Sequence, residues 1–445
     1  MKIVSRKATR GLIGHLQKND QQAAMGDKSI SHRALMFASM ARGVSRINGL
    51  LESEDTLRTQ TSMKALGIDI KKNNGDYIID SAGFLSFRQP SEALNMGNSG
   101  TSARLLIGLL SGSGYQIKMF GDPSLSKRPI DRIMTPLSNM GVIFHAHKNN
   151  FLPLSFFGQP PLLPIDYTLP IASAQIKSAI LLAGLSALGE TTIWEKDISR
   201  DHSERMLSYL GVDIHRTTKD KYQAITIKGG TATLENIIAK DITIPRDISS
   251  VAFLLVAASI IPNSDLIIDN VGLNPTRDGV IETLLEMGAD ITITYDSFSK
   301  DSEPTGRLHI KSAELQAVKT DASRAPRMID EYPILAMAAA VAKGVSLFQG
   351  LKELRVKESD RLAAIANGLS AIGVAVKTGN DWLEITGGKK IIGNHTITTN
   401  LDHRIAMSFY ILGLIADKPI TIDDDSAIAT SFPNFLPLMK RLLTA

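Results

Sequence analysis

The chain reads as an α/β protein of two domains, each assembled from three copies of one supersecondary unit. Its 445 residues exceed what a single ordinary core accommodates, so two domains are the natural expectation. A hydrophobic share of 43% against 21% charged residues is that of a globular protein. The third observation is internal repetition. A polar opening leads into a helix rich in small apolar residues, then a β-branched strand, and then a second helix that closes on an apolar residue, Gly and another strand.

The openings are Lys28-Ser29, Asn98-Ser99-Gly100-Thr101, Ser173-Ala174-Gln175, Asp247-Ile248-Ser249-Ser250, Asp330-Glu331 and Asp402-His403-Arg404. Between them lie the closings Leu66-Gly67-Ile68, Met140-Gly141-Val142, Leu210-Gly211-Val212, Met287-Gly288-Ala289 and Ile372-Gly373-Val374. Gly at such a point is a helix C′ residue in the left-handed region, followed by a strand such as Ile68-Asp69-Ile70. Strict alternation at a spacing of roughly 70–85 residues marks six supersecondary blocks, the last cut short by the C-terminus. At the first opening, Ser29 or Ser31 reads as the helix N-cap. At the fifth, Asp330 is either a cap for the Ala-rich helix or a carboxylate available as a general base. Pro245 and neighbouring charges interrupt the apolar patterning around Ala239–Ile248, which predicts a chain crossing there. The expected domains are 25–243, and 1–24 together with 244–445, with three repeats in each.

Composition narrows the function. A formal charge of +4, with Lys and Arg spread along the chain, suits a basic cleft better than a nucleic-acid-binding tail. Only 5% of residues are aromatic, and none interleave with basic runs, so base stacking is poorly supported. The absence of Cys removes disulfides, thiolate nucleophiles and thiolate metal ligands, and fits a reducing compartment. Residues 1–22 carry no continuous apolar h-region, and the longest apolar run, near Val251–Ile261, is too short to span a bilayer. A cytoplasmic location without membrane attachment is the expectation.

Each opening places a helix N-terminus beside polar or charged side chains, where free N–H groups and the macrodipole favour an anion. Lys28 and Arg33 flank the first opening. Gly97-Asn98-Ser99-Gly100-Thr101 is a Gly-rich anion cradle that is neither a Walker loop nor a Rossmann fingerprint. In Lys127-Arg128-Pro129 the Pro pushes Arg128 into an extended conformation. Lys357 and Arg361 are four apart, as on one helix face, where like charges are unfavourable unless an anion or carboxylate bridges them. His403 and Arg404 stand side by side at the last opening. Packed with pseudo-symmetry, such lobes would enclose an electropositive cleft suited to a small, multiply anionic ligand.

Taken in order, Gly26-Asp27-Lys28-Ser29-Ile30-Ser31-His32-Arg33, Gly97-Asn98-Ser99-Gly100-Thr101, Lys127-Arg128-Pro129, Ser173-Ala174-Gln175, Arg355-Val356-Lys357-Glu358-Ser359-Asp360-Arg361 and Asp402-His403-Arg404 resemble the signature set of the 5-enolpyruvylshikimate-3-phosphate synthase family. Met328-Ile329-Asp330-Glu331-Tyr332-Pro333 and Ala429-Thr430-Ser431-Phe432-Pro433 resemble its bacterial class II branch. The resemblance implies an inside-out α/β barrel in each of two domains, built from six βαβαββ repeats. It implies transfer of enolpyruvyl from phosphoenolpyruvate to the 5-hydroxyl of shikimate 3-phosphate, with release of phosphate, by a cytoplasmic monomer needing no cofactor or metal. Asp330, Glu358 and Lys28 would be catalytic. Lys28, Ser29, Arg33, Ser173, Ala174, Gln175, Arg200, Asp330 and Lys357 would hold shikimate 3-phosphate, Arg200 at its phosphate. Lys28, Asn98, Gly100, Arg128, Gln175, Glu358, Arg361, His403 and Arg404 would hold phosphoenolpyruvate, whose place the inhibitor glyphosate takes. Met25, Ala174, Arg200 and Thr430 depart from the family's most familiar form, Thr430 standing where the other branch carries a phosphate-binding Lys. Two alternatives remain: an enolpyruvyl transferase acting on UDP-N-acetylglucosamine, whose usual catalytic Cys is missing here, and a non-catalytic binder of anionic ligands.

Overall fold

Helices whose apolar residues run all the way round must be buried, while strands that alternate leave one face to water. Helix Ile248–Ile260 is buried over nearly its whole length, and strand Phe151–Gly158 alternates. In the computed structural model this contrast puts helices at the centre of each of two units, with sheets outside them. Residues 1–20, 23, 25–147, 150–296 and 302–444 are described.

In chain order, β1 (Ile3–Ser5) and β2 (Ile13–Leu16) come first. The first repeat holds α1 (Lys28–Met40), β3 (Arg42–Asn48), α2 (Glu54–Ala65), β4 (Asp69–Asn73) and β5 (Asp76–Ala82). The second holds β6 (Leu94–Asn95), α3 (Gly100–Leu110), β7 (Ile117–Phe120), α4 (Asp131–Asn139), β8 (Val142–His147) and β9 (Phe151–Gly158). The third holds β10 (Asp166–Thr168), α5 (Ala174–Gly184), β11 (Glu190–Glu195), α6 (His202–Tyr209), β12 (Ile214–Lys219) and β13 (Tyr222–Lys228), followed by α7 (Thr231–Glu235) and β14 (Ile242–Thr243). The fourth holds α8 (Ile248–Ile260), β15 (Asp265–Gly272), α9 (Gly279–Glu286), β16 (Asp290–Tyr295) and β17 (Thr305–Lys311). The fifth holds β18 (Lys319–Thr320), α10 (Ala325–Met328), α11 (Tyr332–Val341), β19 (Val345–Gln349), α12 (Arg361–Ala371), β20 (Ala375–Thr378) and β21 (Trp382–Thr386). The sixth holds β22 (His395–Ile397), α13 (His403–Gly413), β23 (Ile420–Ile422) and α14 (Phe435–Thr444).

One sheet pattern recurs. The complete repeats read strand–helix–strand–helix–strand–strand, with spatial order first, second, fourth, third, as in β6-β7-β9-β8 and β10-β11-β13-β12. The first two strands are parallel and the remaining pairs antiparallel. Two repeats borrow their first strand across the sequence. The sheet of the first repeat takes β14, with Ile242 opposite Ile47, and that of the fourth takes β2, with Asp265 opposite Ile13. The sixth repeat lacks its final hairpin, and β1 fills part of the gap antiparallel to β23, leaving a three-stranded sheet.

Contacts divide the chain into one unit of Met1–Met25, Pro245–Phe298 and Pro304–Ala445, and a second of Gly26–Ile244 with Ser299–Glu303. The first unit's core gathers around α8, α11 and α13, the second's around α1, α3 and α5. Close backbone approach fixes α3 against α5, since a methyl on Gly108 would stand 2.3 Å from the Ala179 carbonyl oxygen.

The five closing glycines lie in the left-handed region: Gly67 at φ 93°, Gly141 at 93°, Gly211 at 97°, Gly288 at 83° and Gly373 at 90°. The hydrogen bond Ile68 N–H to Met63 O at 3.2 Å, matched by Val212 to Leu207 at 3.0 Å, gives the Schellman ending. Three local expectations are corrected. The N-cap of α1 is Asp27, which accepts from Ile30 N–H at 2.9 Å, while Ser29 and Ser31 lie within the helix. An aspartate adds full charge to the dipole, and Ser31 Oγ is occupied by Leu51 N–H at 3.0 Å. Asp330 is not a cap, because α11 begins after Glu331. Lys357 closes a 3-10 turn, and α12 starts only at Arg361, so the two share no helix face.

Candidate active site

In the second unit, the first turns of α1, α3 and α5 are linked side by side by buried polar contacts. His32 Nδ1 lies 2.7 Å from Thr59 Oγ1, which lies 2.7 Å from Ser102 Oγ on α3. Gln175 Nε2 on α5 donates to Thr101 Oγ1 at 3.1 Å. Arg33 closes the circuit, its Nε donating to Ser203 Oγ at 2.7 Å and Nη2 to Ser178 Oγ at 2.8 Å. Ser99 caps α3 through Ser102 N–H, and Ser173 caps α5 through Ile176 N–H, leaving Gly100 and Ala174 as first helical residues.

Cations crowd these termini. Lys28 pairs with Asp55 at 2.5 Å. Asn98 bridges two groups, donating to Asp122 Oδ2 at 2.8 Å and accepting from Arg128 Nη2 at 2.7 Å. Arg128 is extended, at φ −92° and ψ 129°, as the following Pro requires. Burial brings the Arg33 guanidinium down to about 10, with Glu204, Asp27 and Glu303 opposing and Arg200 reinforcing. Arg104 is likewise brought to about 10 by burial and by the neighbouring Arg128 and Arg132. Cations gathered at helix N-termini suit an anion with more than one charge.

In the first unit, Arg361 is the hub. Only 1% of its side chain is exposed, and it reaches three carboxylates. Nε donates to Asp402 Oδ2 at 2.8 Å, Nη1 to Asp330 Oδ1 at 3.3 Å and Nη2 to Glu358 Oε2 at 2.5 Å. Burial works against its charge, but Asp402, Glu358 and Asp330 together raise its pKa. Lys357 also meets Asp330 Oδ1, at 3.3 Å, so one carboxylate bridges the two cations that the sequence pairs. Arg404 Nη1 donates to the Asp330 carbonyl at 3.0 Å and lies 3.7 Å from Glu331 Oε1. Burial drives His403 down to about 3, so its imidazole is neutral at ordinary pH. Asp402 caps α13 through Arg404 N–H at 3.0 Å; burial pushes its carboxyl up, but the charge and hydrogen bond of Arg361 hold it below the ordinary range.

Within the second unit, Lys28, Ser29, Arg33, Asn98, Gly100, Ser173, Ala174 and Gln175 lie on these helix starts. Arg128 joins them through Asn98, and Arg200 acts on Arg33 through its charge. Within the first unit, Asp330, Lys357, Glu358, Arg361, His403 and Arg404 form one continuous network. Sequence reasoning passed over Arg104, whose Nη1 donates to the Gly100 carbonyl, and Asp402, which it took only as a helix opening. The signal for Arg104 was its place one turn after Gly100 in an otherwise apolar helix. Among the described residues no group of His, Asp and Glu could hold a metal ion, and no helix is long and apolar enough to cross a membrane.

A model of the EPSP synthase (3-phosphoshikimate 1-carboxyvinyltransferase) family matches residues 20–439. The 3-phosphoshikimate 1-carboxyvinyltransferase of Chelativorans sp. strain BNC1 is 47% identical over 98% of this chain and 96% of its own. That of Gluconobacter oxydans is 46% identical over 94% and 93%. Among solved structures, an EPSP synthase from Acinetobacter baumannii aligns with a TM-score of 0.87 and 40% identity, covering 99% of this chain and 98% of that one. The enolpyruvyl transferase NikO from Streptomyces tendae, at 17% identity and a TM-score of 0.74, shares the fold. By sequence and by fold, the chain belongs to the EPSP synthase family.

Proposed function

We propose that the chain transfers the enolpyruvyl group of phosphoenolpyruvate to the 5-hydroxyl of shikimate 3-phosphate and releases inorganic phosphate. The hydroxyl oxygen adds to the enol carbon as the methylene takes a proton. The tetrahedral adduct then loses phosphate, which departs with the proton taken from the hydroxyl, while the new methyl gives its proton back. Asp330 accepts the hydroxyl proton, and Glu358 with Lys28 carries the methylene proton. Such transfers contribute about 10²–10⁴-fold to the rate.

The observation that carries this reading is the Asp330 carboxylate, 3.3 Å from both Lys357 and Arg361, with Glu358 on the same guanidinium. Two carboxylates fixed on one buried cation can act as a base and a proton carrier without drifting. Arg128, Arg361 and Arg404 would hold phosphoenolpyruvate, with Gly100 admitting close approach. Ser29, Arg33, Ser173, Gln175, Lys357 and Arg200 would hold shikimate 3-phosphate. The absence of Cys in the chain speaks against the UDP-N-acetylglucosamine alternative.

The test is phosphate release with both acids, against a UDP-N-acetylglucosamine control, in the wild-type protein and in Asp330→Asn. The expected result is release only with shikimate 3-phosphate, and a kcat about 10²–10⁴-fold lower in the variant with substrate binding retained. Release with the UDP-sugar, or an Asp330→Asn variant of unchanged turnover, would overturn the proposal.

A further inference from the structure

The segment that carries Arg200 is held by a buried ion cluster that no proton transfer uses. Lys177 lies on α5 two residues past Gln175, with 1% of its side chain exposed. Its Nζ is 2.9 Å from Glu195 Oε1 and 2.7 Å from Glu204 Oε1, and donates to the Ser199 carbonyl at 3.2 Å. Glu195 Oε2 accepts from Ser199 N–H at 3.2 Å and from Ser199 Oγ at 2.7 Å. All three polar groups of Ser199 are therefore held from one side, and Arg200 is the next residue.

The same cluster reaches Arg33. Ser178 and Ser203, which anchor its guanidinium, are the chain neighbours of Lys177 and Glu204. Their hydroxyls lie 2.7 Å apart. Glu204 Oε2 is buried and accepts no hydrogen bond among the described residues. Of the charges acting on Arg33, that of Glu204 is the strongest in favour of the cation, while Arg200 opposes it. One lysine against two carboxylates leaves surplus negative charge behind two arginines that repel each other. As a stability device such a cluster is poor, because apolar side chains of the same volume do as well or better. As a means of holding two like charges ready for a multiply anionic ligand it is effective, since the side chains are already fixed when the ligand arrives.

Resting on the functional reading above, we propose that Lys177, Glu195 and Glu204 are positioning residues that set Arg33 and Arg200 for shikimate 3-phosphate, Arg200 for its phosphate. They touch no substrate. Their action is carried by Ser199 on one side and by the Ser178–Ser203 pair on the other.

The test compares shikimate 3-phosphate with shikimate as acceptor, phosphoenolpyruvate saturating, in the wild type, Glu195→Gln and Ser199→Ala. Glu195→Gln keeps the shape but weakens the hold on Ser199, and Ser199→Ala removes only the hydroxyl if the first variant fails to fold. The expected outcome is that the ratio of kcat/KM for the phosphorylated acceptor to that for shikimate falls about tenfold, the worth of one charge-assisted hydrogen bond. It should fall through KM for shikimate 3-phosphate, with kcat and the KM for phosphoenolpyruvate little changed. Lys177→Arg, which keeps the cation, should retain most of the ratio. An unchanged ratio, or equal losses on both acceptors, would overturn the positioning role. A wild-type protein that releases no phosphate from the two acids would instead overturn the functional reading beneath it.

Discussion

Replacing Arg361 by Met removes one buried cation from among three carboxylates while nearly preserving the volume of the side chain. Asp402 is fully buried, and Asp330 and Glu358 are partly so, with 15% and 31% side-chain exposure. Breaking a buried pair by deleting one partner costs about 3–5 kcal/mol, because the remaining charge is left uncompensated. For a unit of this size that lowers its unfolding temperature by about 6–20 °C. The sign of the pH dependence follows from Asp402. In the wild type Arg361 holds its carboxyl below the unfolded value, so this stabilisation is complete above pH ~4 and is lost as pH falls through the folded value. Without Arg361, burial prevails and the carboxyl rises above its unfolded value. The deficit of the variant is then greatest at neutral pH and shrinks as acid neutralises the carboxylate. Circular-dichroism melts of both proteins from pH 8 to pH 4 measure it. A deficit that stayed constant over that range, or an unfolding temperature lowered by less than about 2 °C, would refute the hub assigned to Arg361. Arg361→Lys should fall between the two, since one ammonium cannot serve three carboxylates as the planar fork does.

Two further outcomes are expected. In Gly100→Ala the added methyl would stand 2.6 Å from Arg104 Nη1 and 3.6 Å from Arg128 Nη1, so the Arg104 guanidinium must shift and the space before α3 narrows. The inhibition constant of glyphosate, longer than phosphoenolpyruvate, should rise about tenfold more than the KM for phosphoenolpyruvate, and steady-state inhibition would show equal increases if the steric argument is wrong. The buried imidazole of His403 should remain neutral at pH 5, because burial lowers it to about 3; burial likewise holds His32 well below its ordinary value. Their contribution to stability is then complete above the unfolded value of about 6.5 and falls on acidification, and nitrogen-15 imidazole spectra showing the His403 ring charged at pH 5 would contradict this.

What the sequence displayed depended on how local the cause was. The closing glycines were legible because a left-handed C′ residue is set by its own backbone, and all five adopt it. Arg128 was legible for the same reason, its neighbour being Pro129. The cap of α1 was misread because Asp27, Ser29 and Ser31 are all good caps by residue type, and the use of Ser31 by Leu51, twenty residues on, is invisible locally. The exchange of β2 and β14 left no local trace, since an edge strand of two to four residues reads alike whichever sheet receives it.

The candidate site shows the same division between what is local and what is not. Its cations stood out because basic residues at helix openings are rare enough to be noticed singly. Their organisation did not, because Arg361 meets Asp330 and Asp402 only once the fifth repeat has folded on itself and against the sixth. Lys177 is the sharpest case. In Ala174-Gln175-Ile176-Lys177-Ser178-Ala179-Ile180 it is a cation inside an apolar helix, which by periodicity alone should point to water. Instead it is buried against carboxylates from β11 and α6. A lysine that violates the pattern of its own helix must find its partners elsewhere in the fold. The partners it finds hold the residue just before Arg200. Where a charge breaks the local rule and the fold supplies compensation, the compensation itself points to what the charge is for.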